Sequence, residues 1–282
     1  MLKRFVDFLL FGNIYVAFGA FCLVQSTAHQ LCFTSSLLPY SSLCFFATLF
    51  VYNLQRIFYR PPSSLPTSSI RRHWIANHQT TIKSLTLIGF TGTLLSFFSV
   101  DVRIIFYLSP LLALSLAYFL PFITLRKSSI FKLITLTTVW TIATALVPIL
   151  ISTASFFHPI TTQQLVIHVL LRFSFMMSIC IPFDIRDLAI DRAENTSTLP
   201  QLIGQNKTIA IAAAFILFYT LVLCIQFITH TIALSVFLAL LTTSILTLLL
   251  IVKCNTHRSE YYFVAAIDGT MILQGILIMI SV

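Results

Sequence analysis

Residues 182–204 read PFDIRDLAIDRAENTSTLPQLIG, and this polar segment separates two long apolar runs. Of the eight acidic residues in the chain, four lie here: Asp184, Asp187, Asp191 and Glu194. On a helix, the spacing of the three aspartates places their carboxylates on one face. Such closely spaced carboxylates repel each other unless a cation joins them, and Mg²⁺ binds one or two carboxylates together with substrate phosphates. The segment therefore predicts a Mg²⁺ site at Asp184, Asp187 and Asp191, and the alternative is a solvated, charged end of a loop.

The composition is that of a membrane protein. The 282 residues are 58% hydrophobic and 9% charged, which is too apolar for a soluble domain. Nine apolar runs approach the ~20 residues that a bilayer requires, at residues 7–25, 36–58, 82–100, 103–121, 132–153, 164–183, 208–229, 231–252 and 262–281. We predict one all-α integral membrane domain over residues 1–282, in which nine transmembrane helices form a bundle around a lipid-accessible cavity.

The basic residues indicate the topology. With nine spans, fifteen of the 17 Lys and Arg residues lie on one side of the membrane: Lys3, Arg4, Arg56, Arg60, Arg71, Arg72, Lys83, Arg126, Lys127, Lys132, Arg186, Arg192, Lys207, Lys253 and Arg258. The positive-inside rule places that side, and the N-terminus, in the cytoplasm. We expect a multi-pass protein of a bacterial inner membrane, with connections 59–81 and 184–207 as a polar cytoplasmic cap. The net charge of +9 is explained by topology, so no nucleic-acid partner is expected.

Arg172 is an exception, because it lies near the middle of the sixth apolar run. A charged residue inside a membrane is costly and usually faces a cavity or a partner. One interpretation is that Arg172 forms a polar wall of an internal cavity. The other is that its side chain extends toward the interface or packs against backbone carbonyls.

A second polar group lies at the end of the second apolar run. Asn53, Arg56 and Arg60 have the same spacing as the three aspartates, and both groups are expected at cytoplasmic helix ends. If the two ends face each other, the guanidinium groups bind phosphate oxygens in pairs while the carboxylates bind a metal ion. The alternative is that Arg56 and Arg60 are ordinary positive-inside charges.

The motif Asp184-x-x-Asp187-x-x-x-Asp191, followed by Thr198-Leu-Pro and Gly204, resembles the second aspartate motif of the UbiA-type intramembrane prenyltransferases. Asn53 resembles the residue that opens the first motif of that superfamily. The resemblance implies that Mg²⁺ and the diphosphate of an isoprenoid donor bind at these motifs. It also implies a polyprenyl diphosphate and a membrane-bound, aromatic acceptor as partners in prenyl transfer.

The chain departs from that superfamily at the first motif. The aspartates expected four and eight residues after Asn53 are replaced by Ile57 and Pro61. We therefore expect one Mg²⁺ at the aspartate end and direct contacts from Arg56 and Arg60 at the other. The superfamily also tends to have a Tyr and a Lys near the end of span four.

At that place this chain has Tyr118 without a nearby Lys, and Arg126 and Lys127 follow later. These residues and Arg172 are possible supports of the site.

Loss of the first aspartates favours a competing hypothesis, a non-catalytic lipid-binding or assembly protein of the same fold. A transporter is disfavoured, because the chain has only seven Gly and no internal repeat.

Overall fold

The fold is all-α. The structure, a computed structural model, describes residues 1–33, 36–58, 69–101, 104, 106–109, 111, 129–152, 160–193 and 196–281. The first helices are α1 (Leu2–Phe11), α2 (Ile14–Gln30), α3 (Leu38–Phe58), α4 (Ile70–Asn77) and α5 (Gln79–Phe97). Next come α6 (Ser129–Thr141), a π-helical turn (Ile142–Leu146), α7 (Val147–Ser152) and α8 (Thr162–Arg186). The last elements are α9 (Leu188–Ala193), α10 (Leu199–Ile203), α11 (Gln205–Ile228), α12 (Leu234–Val252), a second π-helical turn (Tyr262–Ile267) and α13 (Asp268–Ser281).

Fewer helices than predicted are clear membrane spans. Among the described residues, five are long and apolar enough to cross a membrane: Ile130–Ser152, Thr162–Arg186, Gln205–Ile228, Leu234–Val252 and Tyr262–Ser281. The bent pair α1 and α2 adds a sixth if it forms one span. Helices α3 and α5 have 21 and 19 residues, but their polar residues lower their mean hydropathy. The fourth predicted run, 103–121, lies largely outside the described residues. The described residues therefore contain five or six candidate spans, and the prediction of nine spans stays a prediction.

The first predicted span, 7–25, consists of parts of two helices. The chain bends by 62° between α1 and α2. At the bend Asn13 has a φ of 62°, a left-handed conformation that asparagine adopts more readily than most residues. Its side chain donates a hydrogen bond of 3.1 Å to Oδ1 of Asn53. The bend is thereby joined to α3.

Two glycines allow neighbouring helices to approach closely. A Cβ atom at Gly89 would lie 2.6 Å from the backbone nitrogen of Phe50, and one at Gly275 would lie 2.6 Å from the carbonyl oxygen of Cys22. Real Cβ atoms do not tolerate such distances, so only glycine fits at these positions. Helix α5 thus packs against α3, and α13 against α2, through the small-residue contacts common in membrane bundles.

Helix α8 brings the polar segment to one end of the bundle. It begins at a capping box in which the side chains of Thr161 and Gln164 bond to each other's backbone. It ends at Arg186, and Asp187 caps it before α9 begins at Leu188. The spacing of the three aspartates predicted one continuous helical face, and this prediction is wrong because the helix ends between them. The break falls at the middle aspartate, yet all three still line the same cavity.

Candidate functional site

A cavity of about 1250 Å³ lies within the bundle. Its volume exceeds the roughly 300–1,000 Å³ typical of small-molecule pockets. Much of the wall is apolar, with side chains that include Leu43, Val51, Leu136, Val139, Met176 and Ile179. At one end the lining is charged: Arg56, Arg71, Lys132, Asp184, Arg186, Asp187 and Asp191. A largely apolar cavity with a charged part has the polarity of an amphiphile with an ionic head group.

Asp184 lies in the last turn of α8 and is 1% exposed. Its Oδ1 atom is 3.4 Å from Nζ of Lys132, near the start of α6. A buried carboxylate requires such a partner, because an isolated charge in an apolar interior is costly. The ion pair joins α6 to α8 beside the cavity.

Asp187 is engaged by two arginines. Arg186 donates to both of its carboxylate oxygens, from Nε at 2.9 Å and from Nη2 at 2.7 Å. Nη2 of Arg71, on α4, is 3.5 Å from Oδ1. Burial alone would raise the pKa of Asp187, but the charges of Arg186 and Arg71 outweigh it and lower the pKa. Asp187 is therefore ionised at neutral pH.

Asp191 has a different environment. It is buried on α9, and its Oδ2 atom has no hydrogen-bond partner among the described residues. Burial raises its pKa to about 6, and the charge of Lys132 opposes this shift only in part. Asp191 thus lines the cavity and has a buried carboxylate oxygen without a hydrogen-bond partner among the described residues.

These carboxylates do not form a complete set of metal ligands. They fit a metal ion whose other ligands include the phosphate of a bound molecule. No group of three or more His, Cys, Asp or Glu side chains converges to hold a metal ion in the part of the chain that the structure describes. Mg²⁺, however, commonly takes only one or two carboxylates and completes its shell with phosphates and water. The unpartnered oxygen of Asp191 suits that role. The assignment of Asp184, Asp187 and Asp191 as metal ligands stays a prediction.

The second predicted group, Asn53, Arg56 and Arg60, does not stay together as one group at the cavity. Arg56 lines the cavity, and its Nη1 atom is buried without a hydrogen-bond partner among the described residues. Asn53 is fully buried and donates to the carbonyls of Gly12 and Leu49, at 3.0 and 2.9 Å. These bonds and the one from Asn13 give Asn53 a structural role, and its place in diphosphate binding stays untested. Arg60 lies outside the described residues.

Sequence reasoning missed four contributors to the charged end: Arg71, Lys132, Arg186 and Glu260. Oε2 of Glu260 is 3.5 Å from Nε of Arg71 and 3.9 Å from Nε of Arg186. Ser69, which caps α4, donates a hydrogen bond of 2.5 Å to Oε1 of Glu260. Basic and acidic side chains thus alternate in a ring of ion pairs, in the order Arg71, Asp187, Arg186 and Glu260. The only signal in the sequence was the position of Arg71 and Glu260 in two connections on the predicted cytoplasmic side.

Arg172 lies away from the cavity lining. It is 4% exposed, and it donates to Oε1 of Gln274 at 3.0 Å, to the carbonyl of Leu23 at 3.2 Å and to Oγ1 of Thr27 at 3.2 Å. Of the two interpretations, packing against neutral oxygen atoms is the one observed. The guanidinium group joins α8 to α2 and α13. The other predicted supports, Tyr118, Arg126 and Lys127, lie outside the described residues.

Fold and cavity together define a multi-helix membrane protein with an internal, largely apolar cavity that has a charged part. No protein-family model matches the chain, and no curated protein sequence is significantly similar to it. Two solved structures share its fold. One is the apo structure of a UbiA homolog from Aeropyrum pernix K1, with a TM-score of 0.59 at 12% identity, covering 96% of this chain and 95% of that one.

The other is a structure of digeranylgeranylglyceryl phosphate synthase, with a TM-score of 0.55 at 12% identity, covering 99% of this chain and 97% of that one. At this level of identity the similarity concerns the fold. The resemblance to the UbiA-type superfamily, expected from the aspartate motif, is confirmed at the level of fold over nearly the full length of the chain.

Proposed function

We propose that the chain is an intramembrane prenyltransferase that moves a prenyl group from a polyprenyl diphosphate to a membrane-bound, aromatic acceptor. The observation that carries the proposal is the charged end of the cavity. Carboxylates and arginines converge there, in a cavity of about 1250 Å³ whose remaining wall is largely apolar, within a fold similar to a UbiA homolog. The apolar part fits an isoprenoid chain and the charged end fits its diphosphate.

The charged side chains would position the donor. Asp191, with Asp184 or Asp187, would hold one Mg²⁺, which when bound supplies positive charge to the phosphate oxygens. Arg56 lines the cavity, its buried Nη1 atom has no hydrogen-bond partner among the described residues, and its guanidinium group would donate to the same diphosphate. Charge placed where the leaving group gains electrons accelerates bond cleavage more than it strengthens ground-state binding.

The proposed reaction breaks one bond of the donor and forms one bond to the acceptor. The C1–O bond of the donor breaks and its electron pair leaves with the diphosphate, while the acceptor forms a bond to C1 and loses a proton. Tyr52, Phe97, Trp140 and Phe183 line the cavity, and their ring faces would stabilise the positive charge on the allylic carbon. Nε1 of Trp140 donates a hydrogen bond of 3.1 Å to the hydroxyl of Tyr52, so these two rings are fixed relative to each other.

We also propose the predicted topology of nine spans with a cytoplasmic N-terminus, in a bacterial inner membrane. The proposal rests on the fifteen basic residues that fall on one side under this count. Reporter fusions after Phe156 and after Asn195 should report opposite sides, outside and inside respectively. A report from the same side for both fusions contradicts the topology.

The activity is tested by diphosphate release. The purified chain in liposomes, supplied with prenyl diphosphates of increasing chain length and aromatic lipid acceptors, should release diphosphate in Mg²⁺ and stop in EDTA. A prenylated acceptor should appear in step with the diphosphate.

A non-catalytic lipid-binding or assembly protein is the second candidate. It is favoured by Ile57 and Pro61 in place of the first-motif aspartates, and by the pairing of both oxygens of Asp187 with Arg186. Tight binding of a prenyl diphosphate without diphosphate release, across the donor and acceptor panel, would select this candidate.

A further inference from the structure

Three arginines from three separate parts of the chain meet at the charged end of the cavity. Arg56 lies in the last turn of α3, Arg71 lies in α4, and Arg186 is the last residue of α8. All three line the cavity. Like charges repel strongly at short range in a poorly solvated space. Their convergence is therefore costly unless anions join them.

Two carboxylates compensate part of this charge. Glu260 lies 3.5 Å from Arg71 and 3.9 Å from Arg186, and Asp187 pairs with the same two arginines. Asp268 also faces Arg71 and Arg186 closely enough to interact with their charges. Arg56 is near Arg71, Arg186 and Glu260, yet it forms no ion pair with any carboxylate among the described residues.

Two donors at this place lack hydrogen-bond acceptors among the described residues. Nη1 of Arg56 and Nε of Arg71 are buried, and neither has a hydrogen-bond partner in the described part of the chain. Oε2 of Glu260 is buried and lacks a hydrogen bond as well, although it lies in ion-pair range of both arginines. Buried unsatisfied groups are rare in native proteins and often mark a place for water or an ion. An anion with several oxygens would satisfy these donors, because each guanidinium group can bind two phosphate oxygens.

We propose that Arg56, Arg71 and Arg186 form a diphosphate-binding site that works without a divalent cation, with Glu260 as its counter-ion in the ligand-free state. This inference rests on the proposed function and extends it. The three arginines bind the part of the diphosphate farther from Asp191. The diphosphate replaces Glu260 beside Arg71 and Arg186, while Asp187 keeps its hydrogen bonds from Arg186. Ser69 keeps its hydrogen bond to the other oxygen of Glu260.

The test measures binding in EDTA to the full chain in detergent micelles. Three probes separate the chemistry: geranylgeranyl diphosphate, inorganic diphosphate and geranylgeraniol, which has the chain without the phosphates. We expect geranylgeranyl diphosphate to bind, inorganic diphosphate to compete with it, and geranylgeraniol to bind at least about tenfold more weakly. Equal binding of geranylgeraniol would place recognition in the apolar chain and overturn the proposal.

Variants identify the residues. Arg71→Gln should weaken binding of geranylgeranyl diphosphate in EDTA by about tenfold or more, and Arg71→Lys should weaken it less, because the charge remains while the paired donors are lost. Arg192→Gln, an exposed arginine outside the cavity lining, is the matched control and should change nothing. Equal affinities of the Arg71→Gln and Arg192→Gln variants would overturn the proposal.

Glu260→Gln separates a counter-ion from a structural residue. It removes the competing negative charge while it keeps the shape, so binding of geranylgeranyl diphosphate in EDTA should tighten by about three- to tenfold. A residue needed only to build the site would weaken binding when changed, and that result would overturn the assignment of Glu260.

The outcome in Mg²⁺ distinguishes this inference from the proposed function. Binding in Mg²⁺ that vanishes in EDTA overturns the metal-independent site and leaves prenyl-diphosphate binding intact. Absence of binding in both conditions overturns both.

Discussion

Two buried groups of polar side chains in this protein contain arginine, and they differ in how completely they are satisfied. Around Arg172, three hydrogen bonds to neutral oxygen atoms join α8 to α2 and α13. Gln274 continues the group by donating to the hydroxyl of Tyr219 at 2.9 Å. At the charged end of the cavity, atoms of Arg56, Arg71, Asp191 and Glu260 lack hydrogen-bond partners within the described residues.

We interpret the difference as one between a structural role and the proposed binding role. A buried polar group that bonds fully within the protein stabilises the packing of its helices. A buried polar group that lacks hydrogen-bond partners destabilises the folded protein until a ligand supplies those partners. Arg172 therefore belongs to the first kind, and the charged end belongs to the second. Changes at the charged end should affect ligand binding, whereas changes at Arg172 should affect unfolding.

The largest effect is expected from Asp191→Asn. The change removes the unpartnered carboxylate oxygen proposed to bind Mg²⁺, so the affinity for geranylgeranyl diphosphate in Mg²⁺ should fall by about 100-fold, equivalent to roughly 2.7 kcal/mol. The thermal midpoint should not fall, because no bond of that oxygen within the protein is lost. Equilibrium binding and thermal unfolding in detergent measure the two quantities.

Asp101→Asn is the control, since Asp101 is exposed and does not line the cavity. Unchanged affinity in both Asp191→Asn and Asp187→Asn would mean that the aspartates form a solvated, charged end of a loop.

Arg172→Ala should give the opposite pattern. Three interhelical hydrogen bonds are lost, and at about 0.6 kcal/mol for each bond within a membrane the free energy of unfolding should fall by about 2 kcal/mol. The affinity of the folded protein for geranylgeranyl diphosphate should stay within about twofold of the original. Denaturant unfolding in micelles measures the first effect. A weakened affinity with full stability would move Arg172 into the binding site.

The pH dependence of binding should be steepest near the pKa of Asp191, which burial raises to about 6. A carboxylate with this pKa is ionised at pH 7 and loses its charge as the pH falls. From pH 7 to pH 5 its ionised fraction drops by about tenfold, and Mg²⁺-dependent binding should drop with it. Titrations at fixed Mg²⁺ measure the profile, and Asp191→Asn should make it flat. A profile that keeps its midpoint in that variant would assign the titration to another group.

Gln274→Leu should have the smallest effect. It removes one bond from Arg172 and one to Tyr219, and it leaves the bonds of Arg172 to Leu23 and Thr27 in place. The free energy of unfolding should fall by about 1 kcal/mol with no change in ligand affinity. If Gln274→Leu lowered the free energy of unfolding as much as Arg172→Ala does, all the hydrogen bonds of Arg172 would depend on Gln274.

The sequence predicted well what depends on composition and local contrast. An all-α membrane protein follows from the high apolar fraction, and the aspartate segment is conspicuous because acidic residues are scarce elsewhere. The same segment suggested the UbiA-type fold that the two solved structures share. The first signal is the composition of the whole chain, and the second lies within a few consecutive residues.

The structure differs where the outcome depends on contacts between distant parts of the chain. The spacing of Asn53 and Arg56 predicted a common face, but Asn53 bonds to the bend at Gly12 and Asn13 while Arg56 faces the cavity. The rotation of a helix about its axis is set by the helices packed against it, and the spacing of residues along the sequence gives no information about those helices. Glu260 pairs with Arg71 across 189 positions of sequence, and no local pattern announces such a pair. The break at Asp187 likewise could not be predicted from the spacing of the three aspartates.

The π-helical turn Tyr262–Ile267 has a consequence for how related sequences are aligned. It lies between Glu260 and Asp268, two acids that both face the arginines of the cavity. A π turn holds about one residue more than an α turn, and each residue in a helix rotates the chain by about 100°. Deleting one residue here would restore a plain α-helix and rotate Glu260 away from its present direction relative to α13. A relative with one residue fewer in this turn therefore requires a gap at this place, and its counter-ion must be sought at a shifted position.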